Sequence, residues 1–256
     1  MTVLVDRYGA VVVITINRPR VRNAVDRPTA LAIAAAVDAL DADDDLLVGI
    51  LTGSGGSFCS GMDLKVFLTA GLGERPAELD GRGFGGITQT PPSKPLIAAV
   101  EGYALAGGCE MALACDLIVA SETATFGLTE VTRGLVAGAG GMVRLPRKVP
   151  KQIAMEYLLT GAHFPAAEAH RWGLVNRLTP PGGALAEARK LAESIAANAP
   201  LAVLATKRIV TESADWSLDE AWGLQRSLVD SVLASDDAME GSQAFTDKRP
   251  PVWTRR

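Results

Sequence analysis

Residues 95–120 read PLIAAVEGYALAGGCEMALACDLIVA, and in them two apolar runs flank a glycine pair and an apolar helical segment. Short apolar runs bounded by turn residues are typical of buried strands, so the sequence predicts strands at 95–100 and 117–120. The segment 107–114 between them predicts a helix. Strands that alternate with helices at this spacing indicate an α/β fold.

The same alternation extends toward the N-terminus. Residues 2–8 and 11–17 are apolar runs on either side of Gly9, which predicts a β-hairpin. Asp26 predicts the start of a helix, and the short apolar run at 46–52 predicts another buried strand.

Strand signals stop near residue 184, and the remaining chain carries Ala and Leu at helical spacing. The predicted helices are 184–198, 201–212, 218–234 and 238–245. This change in composition divides the chain, and we predict a core domain at residues 1–198 and a C-terminal helical region at residues 199–256.

A segment rich in glycine, proline and polar residues interrupts the pattern at residues 71–94. It predicts a surface excursion next to a binding site, because long irregular insertions often carry function. Gly81, Gly83 and Gly86 match the GxGxxG fingerprint of dinucleotide sites. No buried strand precedes them and no long helix follows, so the pattern favours a flexible loop.

Charge and composition exclude several classes of function. The 256 residues include 25 Lys and Arg against 29 Asp and Glu, a formal net charge of −4, which argues against nucleic acid as a partner. The apolar runs are much shorter than the roughly 18 residues of a membrane span, so no membrane partner is expected. The N-terminus lacks the features of a secretory signal, and we expect a cytoplasmic protein.

The residue types available also limit the chemistry. Cys59, Cys109 and Cys115 are an odd number, which predicts reduced thiols and not a disulfide framework. With two histidines and no CxxC or HExxH spacing, no metal site is predicted. The glycine-rich residues 53–57 lack the lysine of a phosphate loop, and no GxSxG motif marks a serine nucleophile. Carboxylates, hydroxyls, thiols or backbone groups must therefore supply the chemistry.

Two segments remain as candidates, FCSGMDL at 58–64 and EGYALAGGCEMAL at 101–113. A helix that begins at Gly107 presents unpaired N–H groups and its positive dipole end to the adjacent space. A second N–H from the Gly61-Met62 turn gives two donors for one oxygen, the geometry that stabilises an oxyanion. Tight packing of the helix on a strand explains the same glycines without a ligand, and spacing alone leaves both interpretations open.

Together with other motifs, these segments resemble a known family. They are accompanied by TINRPRVRNA at 15–24, FGLTE at 126–130, GLVAGAGG at 134–141 and DKRPPVW at 247–253. This ordered set closely resembles the crotonase (enoyl-CoA hydratase/isomerase) superfamily over essentially the whole chain.

The resemblance implies a crotonase fold of the α/β (α+β) class, in which repeated ββα turns form a superhelix with two roughly perpendicular sheets. It implies that the C-terminal helical region packs in a homotrimer, often doubled to a dimer of trimers. The implied reaction is the reversible syn hydration of a trans-2-enoyl-CoA to a 3-hydroxyacyl-CoA. The partner is then an acyl-CoA thioester, and no separate cofactor is needed because CoA is part of the substrate.

The resemblance also implies roles for residues at matching positions. Glu110 and Glu130 fall where hydratases hold two catalytic glutamates, Glu110 to orient and deprotonate water and Glu130 to protonate the α-carbon. The backbone N–H groups of Met62 and Gly107 fall where the family holds the thioester oxygen. The implied CoA-binding residues are Arg20, Val21, Arg22, Ser60, Asp63, Leu64, Phe245 and Lys248. The last two contact the CoA of an adjacent subunit in the family's trimers.

The chemistry supports these roles, because two carboxyls can share the work when one is ionised and the other protonated. Taken singly, Glu130 also fits a surface loop, and Glu110 fits a first-turn charge favoured by the helix dipole. Ala106 departs from a common Gly-Gly-Gly, and Met62 is bulkier than the alanine usual there. The alternatives are a Δ3/Δ2-enoyl-CoA isomerase, which needs one carboxylate and the same oxyanion hole, and a non-catalytic acyl-CoA-binding member.

Overall fold

The computed structural model describes residues 1–71 and 73–256, in which strands and helices alternate before a wholly helical C-terminal part. The strands are β1 Val3–Tyr8, β2 Val11–Ile16, β3 Val48–Gly53, β4 Glu78–Leu79, β5 Gly83–Phe84, β6 Leu96–Val100, β7 Tyr103–Leu105, β8 Leu117–Ser121, β9 Thr125–Gly127, β10 Phe164–Pro165 and β11 Arg177–Thr179. The helices are α1 Arg27–Ala42, α2 Leu64–Ala70, α3 Gly107–Ala114, α4 Gly141–Lys148, α5 Lys151–Thr160, α6 Ala166–Arg171, α7 Ala184–Ala196, α8 Pro200–Glu212, α9 Leu218–Leu233 and α10 Asp236–Asp247. A 3-10 helix spans Glu130–Arg133.

The main sheet has six strands in the order β1-β2-β3-β6-β8-β11. β1 and β2 form the predicted antiparallel hairpin, and every other neighbouring pair is parallel. A second sheet of three strands has the order β10-β9-β7, and β4 pairs with β5. The predicted strands at 46–52, 95–100 and 117–120 and the helix at 107–114 are therefore confirmed, with small shifts at their ends.

At the inner strands β2, β3, β6 and β8 both faces of the main sheet are buried, which explains why these strands are largely apolar. Alternate residues of β2 point to opposite faces: Ile14 packs into the larger core, while Val13 packs under α7. Three fully buried alanines spaced four residues apart, Ala184, Ala188 and Ala192, form the face of α7 on the sheet. Their small side chains let the helix lie close to the strands.

The structure contradicts the prediction that residues 71–94 form a surface excursion. Leu72 lies outside the described residues, but Ala77 and Ile87 are fully buried and Phe84 is 5% exposed. Gly86 has φ 74°, and a Cβ there would lie 2.7 Å from the Cβ of Ala34 in α1. Glycine thus lets this segment pack against α1, and its second half is part of the core. Sequence composition missed this because the apolar residues are isolated between glycines.

The C-terminal helices are the least buried part of the molecule. In α9 every described residue is at least partly exposed, and Leu218 and Trp222 are 85% and 72% exposed. The four predicted helices are confirmed within a few residues. The division of the chain at residue 198 stays a prediction. Within the described residues, no helix is long and apolar enough to cross a membrane.

Candidate active site

The first part of the site is the turn that carries Met62. Val25 donates its N–H to the Gly61 carbonyl at 2.8 Å, and Asp63 donates its N–H to the Val25 carbonyl at 2.9 Å. In an extended segment successive N–H groups point to opposite sides, so the Met62 N–H points away from Val25. Among the described residues, the Met62 N–H has no backbone acceptor.

The second part is the N-terminus of α3. A Cβ at Gly61 would lie 3.3 Å from the Gly107 nitrogen, so the turn and the helix start are in contact. Within residues 1–71 and 73–256 the Gly107 N–H also lacks a backbone acceptor. A Cβ at Gly108 would lie 2.2 Å from the Cys59 oxygen. The glycines thus serve tight packing, and that packing brings two unpaired donors together.

Ala106, the residue before α3, has φ 49° and ψ −126°. This region is open to glycine and costs other residues about 1–3 kcal/mol. Its N–H donates to the Gly127 carbonyl at 2.8 Å, which helps to hold the conformation. The strain lies next to the two unpaired amides.

Replacing Ala106 by Gly should therefore stabilise the protein by about 1 kcal/mol, since relief of strain exceeds the entropy that glycine adds to the unfolded chain. Urea unfolding measures the free energy. Ala112→Gly is the matched control: Ala112 is fully buried inside α3, and glycine there should lower the free energy of unfolding. A less stable Ala106→Gly protein would contradict strain at this position.

Glu110 lies in the first turn of α3 and is 3% exposed. Its Oε1 accepts a hydrogen bond of 2.9 Å from the N–H of Gly141, the first residue of α4. Burial raises the pKa of Glu110 from 4.5 to about 7, the Gly141 hydrogen bond opposes this rise, and the charge of Glu130 adds to it. A carboxyl with a pKa near neutrality is suited to take and return a proton.

Glu130 begins the 3-10 helix that follows β9. Its Oε2 is buried and has no hydrogen-bond partner among the described residues. Burial raises the pKa of Glu130 as well. Together the two glutamates form a pair in which neutral carboxyls are favoured, and an unpaired polar oxygen is available to a ligand.

The pH dependence of stability tests the state of Glu110. Since its folded pKa is raised, its contribution to stability is present below pH 4.5 and is lost as pH rises through about 7, a change on the order of 3 kcal/mol. Glu110→Gln removes this ionisation, so the variant should gain stability relative to the wild type between pH 5 and pH 8. The free energy of unfolding at both pH values measures this. The exposed Glu122→Gln variant should show no such trend; equal trends in both variants would contradict the raised pKa.

The residues expected to bind CoA fall into two groups. Ser60 donates its N–H to the Arg22 carbonyl at 3.0 Å, and Arg22 lies over the Tyr103 ring at 5.4 Å. The segments 20–22 and 60–64 therefore meet beside the two unpaired amides. Phe245 and Lys248 lie at the end of α10, and no hydrogen bond or ion pair of the described residues joins them to that group. Their assignment to CoA stays a prediction.

Sequence reasoning missed two contacts that shape the site. Phe84 lies over Gly107, where a Cβ would be 2.5 Å from the ring. The N–H of Gly141 holds Glu110, as described above. The glycine stretch before α4 was the available signal for the second contact, since a helix that starts there has unpaired N–H groups. No local signal pointed to the first.

A polar recess lies beside residues 73–81. It is lined by Arg27, Gly73, Glu74, Arg75, Glu78, Leu79, Asp80, Gly81 and Gln89. Glu78 pairs with Phe84 between β4 and β5, and the Phe84 ring lies over Gly107, so the recess adjoins the segment that covers the start of α3. Burial also raises the pKa of the three cysteine thiols, and such uncharged thiols are typical of residues that serve packing. Among the described residues no cluster of His, Cys, Asp and Glu could hold a metal ion.

Comparison with known proteins gives a consistent result. A family profile described as enoyl-CoA hydratase/isomerase matches residues 6–256. A carnitinyl-CoA dehydratase of Salmonella enteritidis is 43% identical, over 98% of this chain and 97% of its own. An enoyl-CoA hydratase of Mycobacterium tuberculosis has a TM-score of 0.96 and 54% identity, covering 100% of this chain and 99% of its own. A carnitinyl-CoA hydratase of Mycobacterium avium has a TM-score of 0.78 and 41% identity, with coverage of 100% and 99%.

Proposed function

Because the chain belongs to the enoyl-CoA hydratase/isomerase family, we propose that it catalyses the reversible syn addition of water to a trans-2-enoyl-CoA. The product is a 3-hydroxyacyl-CoA. The observation that supports this proposal best is that a buried and a partly buried carboxyl, both of raised pKa, accompany two unpaired backbone N–H groups. No separate cofactor is part of the proposal, because CoA is carried by the substrate.

In the proposed mechanism the thioester oxygen accepts hydrogen bonds from the Met62 and Gly107 N–H groups. Attack on the β-carbon moves negative charge to this oxygen, where the two donors and the positive end of α3 stabilise it. Glycine at 107 leaves room for the close approach. The donors are backbone groups fixed by packing, so little reorganisation is needed when the charge develops.

The two carboxyls handle the protons. Glu110 accepts a proton from water as the oxygen bonds to the β-carbon, and Glu130 gives a proton to the α-carbon. One glutamate is then protonated and the other ionised, the reverse of the starting state, and a proton transfer between them or through solvent resets the pair. Because the charge of Glu130 raises the pKa of Glu110, the titration of one glutamate depends on the state of the other.

The assay that tests this proposal follows the absorbance of the conjugated enoyl group. Adding the enzyme to crotonyl-CoA should lower this absorbance. An isomerase would instead create it from a 3-enoyl-CoA. A non-catalytic binder would bind acyl-CoA tightly and change neither, and Glu110→Gln and Glu130→Gln would then have no effect in any hydration assay.

A substrate with a charged acyl end is a second candidate for the same reaction. The polar recess beside residues 73–81 contains Glu74, Glu78 and Asp80 together with two arginines, and two relatives are named for carnitinyl-CoA. The carnitinyl group ends in a quaternary ammonium, which acidic side chains attract. A panel that includes carnitinyl-CoA, crotonyl-CoA and longer or aromatic enoyl-CoA substrates distinguishes these acyl classes by kcat/KM.

We also propose a homotrimer or a dimer of trimers in the cytoplasm. Large apolar side chains on the C-terminal helices are strongly exposed, Trp222 by 72% and Phe245 by 88%, and they support association, since exposed apolar patches mark interaction sites. In such an assembly Phe245 and Lys248 would contact the CoA of an adjacent subunit. The three buried, unpaired cysteines fit a reducing compartment. Light scattering of the purified protein measures the mass.

A further inference from the structure

Arg18 connects two carboxylates beside the site. Its Nη2 lies 3.1 Å from Asp26 Oδ2 and 3.0 Å from Asp63 Oδ2. All three side chains are mostly buried, with 19%, 17% and 13% exposure. Nη1 of the same guanidinium donates to the Ala24 carbonyl. Such a buried, multiply bonded Arg differs from an exposed ion pair, because little solvent screens it.

One carboxylate belongs to the turn that carries the oxyanion donor. Asp63 directly follows Met62, and its Oδ1 accepts from the Lys65 N–H at 3.2 Å at the start of α2. Its own N–H is bonded to Val25, as described above. The Arg18 contact therefore fixes the side chain of Asp63. The backbone of the same turn is held on both sides of Met62 by the two hydrogen bonds to Val25.

The other carboxylate belongs to α1. Asp26 caps this helix by accepting from the Thr29 N–H at 2.9 Å. Because α1 is packed into the core through residues such as Ile33, Asp26 is a rigid anchor. Arg18 thus links the turn that carries Met62 to a fixed helix.

The backbone of Arg18 is held equally firmly. Its N–H donates to Asn23 Oδ1 at 2.9 Å, and Asn23 Nδ2 donates to the carbonyls of Ser54 and Ser57 at 2.9 and 2.6 Å. Asn23 is fully buried and has φ 57°, a conformation that Asn tolerates better than most residues. These bonds connect Arg18 to the loop after β3, which leads into the Met62 turn.

We propose that Arg18 is a positioning residue of the oxyanion hole: by bridging Asp26 and Asp63 it holds the Met62 N–H in register with the Gly107 N–H. This inference rests on the proposed function of those two amides. Donors must be placed within about 0.5 Å to act on a developing charge. Lysine has one compact charge and cannot reproduce the fork of the guanidinium.

Without Arg18, Asp26 and Asp63 become two unbalanced negative charges. Both oxygens contact the same nitrogen, so they lie close together and repel each other once it is removed. Rotation of the Asp63 side chain away from Asp26 relieves this repulsion, and we expect it to tilt the adjacent backbone of Met62. We therefore expect the geometry of the hole to change before the fold is lost, because the β-type pairing with Val25 remains.

The test measures the infrared band of the thioester carbonyl in a bound substrate. Crotonyl-CoA labelled with ¹³C at the thioester carbonyl is bound to the Glu130→Gln protein, and infrared difference spectra record the shift of the carbonyl band to lower frequency. Adding Arg18→Met to the Glu130→Gln protein should reduce this band shift by more than half. In the otherwise wild-type protein, Arg18→Met should lower kcat at least 10-fold, while KM changes less than threefold. Arg18→Lys should fall between, and it keeps the test usable if the Met variant does not fold.

The controls separate the possible outcomes. Arg7→Met removes an exposed Arg that pairs with Asp43 at 2.9 Å and should change neither kcat nor the band. A band shift and a kcat within twofold of the reference in both Arg18 variants would overturn the inference and leave hydration intact. A wild-type protein that shifts the band but hydrates nothing contradicts the proposed function alone. A wild-type protein that neither binds crotonyl-CoA nor shifts the band overturns both.

Discussion

Replacing Glu130 by Gln should lower kcat for hydration by roughly 100-fold to 10,000-fold, the usual cost of losing a general acid. The reason is specific to this side chain: Oε2 is buried and has no hydrogen-bond partner in residues 1–71 and 73–256, and burial raises the pKa of the carboxyl. A neutral, unpaired carboxyl can donate a proton to carbon, whereas an amide of the same shape cannot. Initial rates on the best substrate of the panel measure the effect.

Glu122→Gln is the matched control for Glu130→Gln. Glu122 lies in the turn between β8 and β9, and it is exposed, so the same change of charge should leave kcat unaltered. KM should change little in Glu130→Gln, because the glutamate acts on the transition state more than on the bound substrate. Full activity of Glu130→Gln on the best substrate would rule out the proposed role of this residue.

Replacing Gly108 by Ala should lower kcat by about 100-fold or more and reduce the free energy of unfolding by about 1–3 kcal/mol. The added Cβ would lie 2.2 Å from the Cys59 oxygen and 2.8 Å from its carbonyl carbon. Neither atom can yield easily, because that carbonyl accepts from Leu105 N at 3.0 Å and Cys59 N donates to Tyr103 O at 2.8 Å. The helix start must then move away from the Met62 turn, and the two donors separate.

Gly223→Ala provides a control of opposite sign for this prediction. A Cβ at Gly223 meets no atom of the described residues within 4 Å, and the residue lies in the exposed helix α9. Alanine there should raise the free energy of unfolding by up to about 1 kcal/mol without affecting kcat. Measuring kcat and urea unfolding for both variants separates a general effect of glycine replacement from the clash at Gly108. Wild-type kcat in Gly108→Ala would contradict the placement of the donors.

Much of the fold could be predicted because its signals are local. The hairpin around Gly9, the buried strands and the α7 face of alanines all follow from short apolar patterns in the sequence, and the crotonase fold implied by the resemblance is confirmed. The helices α2 and α4 to α6 were not predicted, since they are short and lie between glycine and proline residues. Residues 71–94 were misjudged for a related reason: burial of Phe84 depends on contacts with distant elements.

In the candidate site, too, local motifs could be predicted and long-range contacts could not. The motifs around Glu110 and Met62 could be recognised in the sequence, because the resemblance preserves their order and spacing. What each group contacts could not, since Gly141 is 31 residues from Glu110 and Asp63 is 45 residues from Arg18. Nor does the sequence reveal that burial raises the pKa of both glutamates. Contacts between distant segments and burial are properties of the folded chain alone.

The measurement that tests hydration most directly follows isotopes from water into the product. Wild-type enzyme is incubated with crotonyl-CoA in water labelled with deuterium and ¹⁸O, and the acyl-CoA product is analysed by mass spectrometry. We predict one ¹⁸O on the β-carbon and one deuterium on the α-carbon, and neither with the Glu110→Gln/Glu130→Gln variant. Deuterium without ¹⁸O across the substrate panel, or no label at all, would contradict hydration by this site.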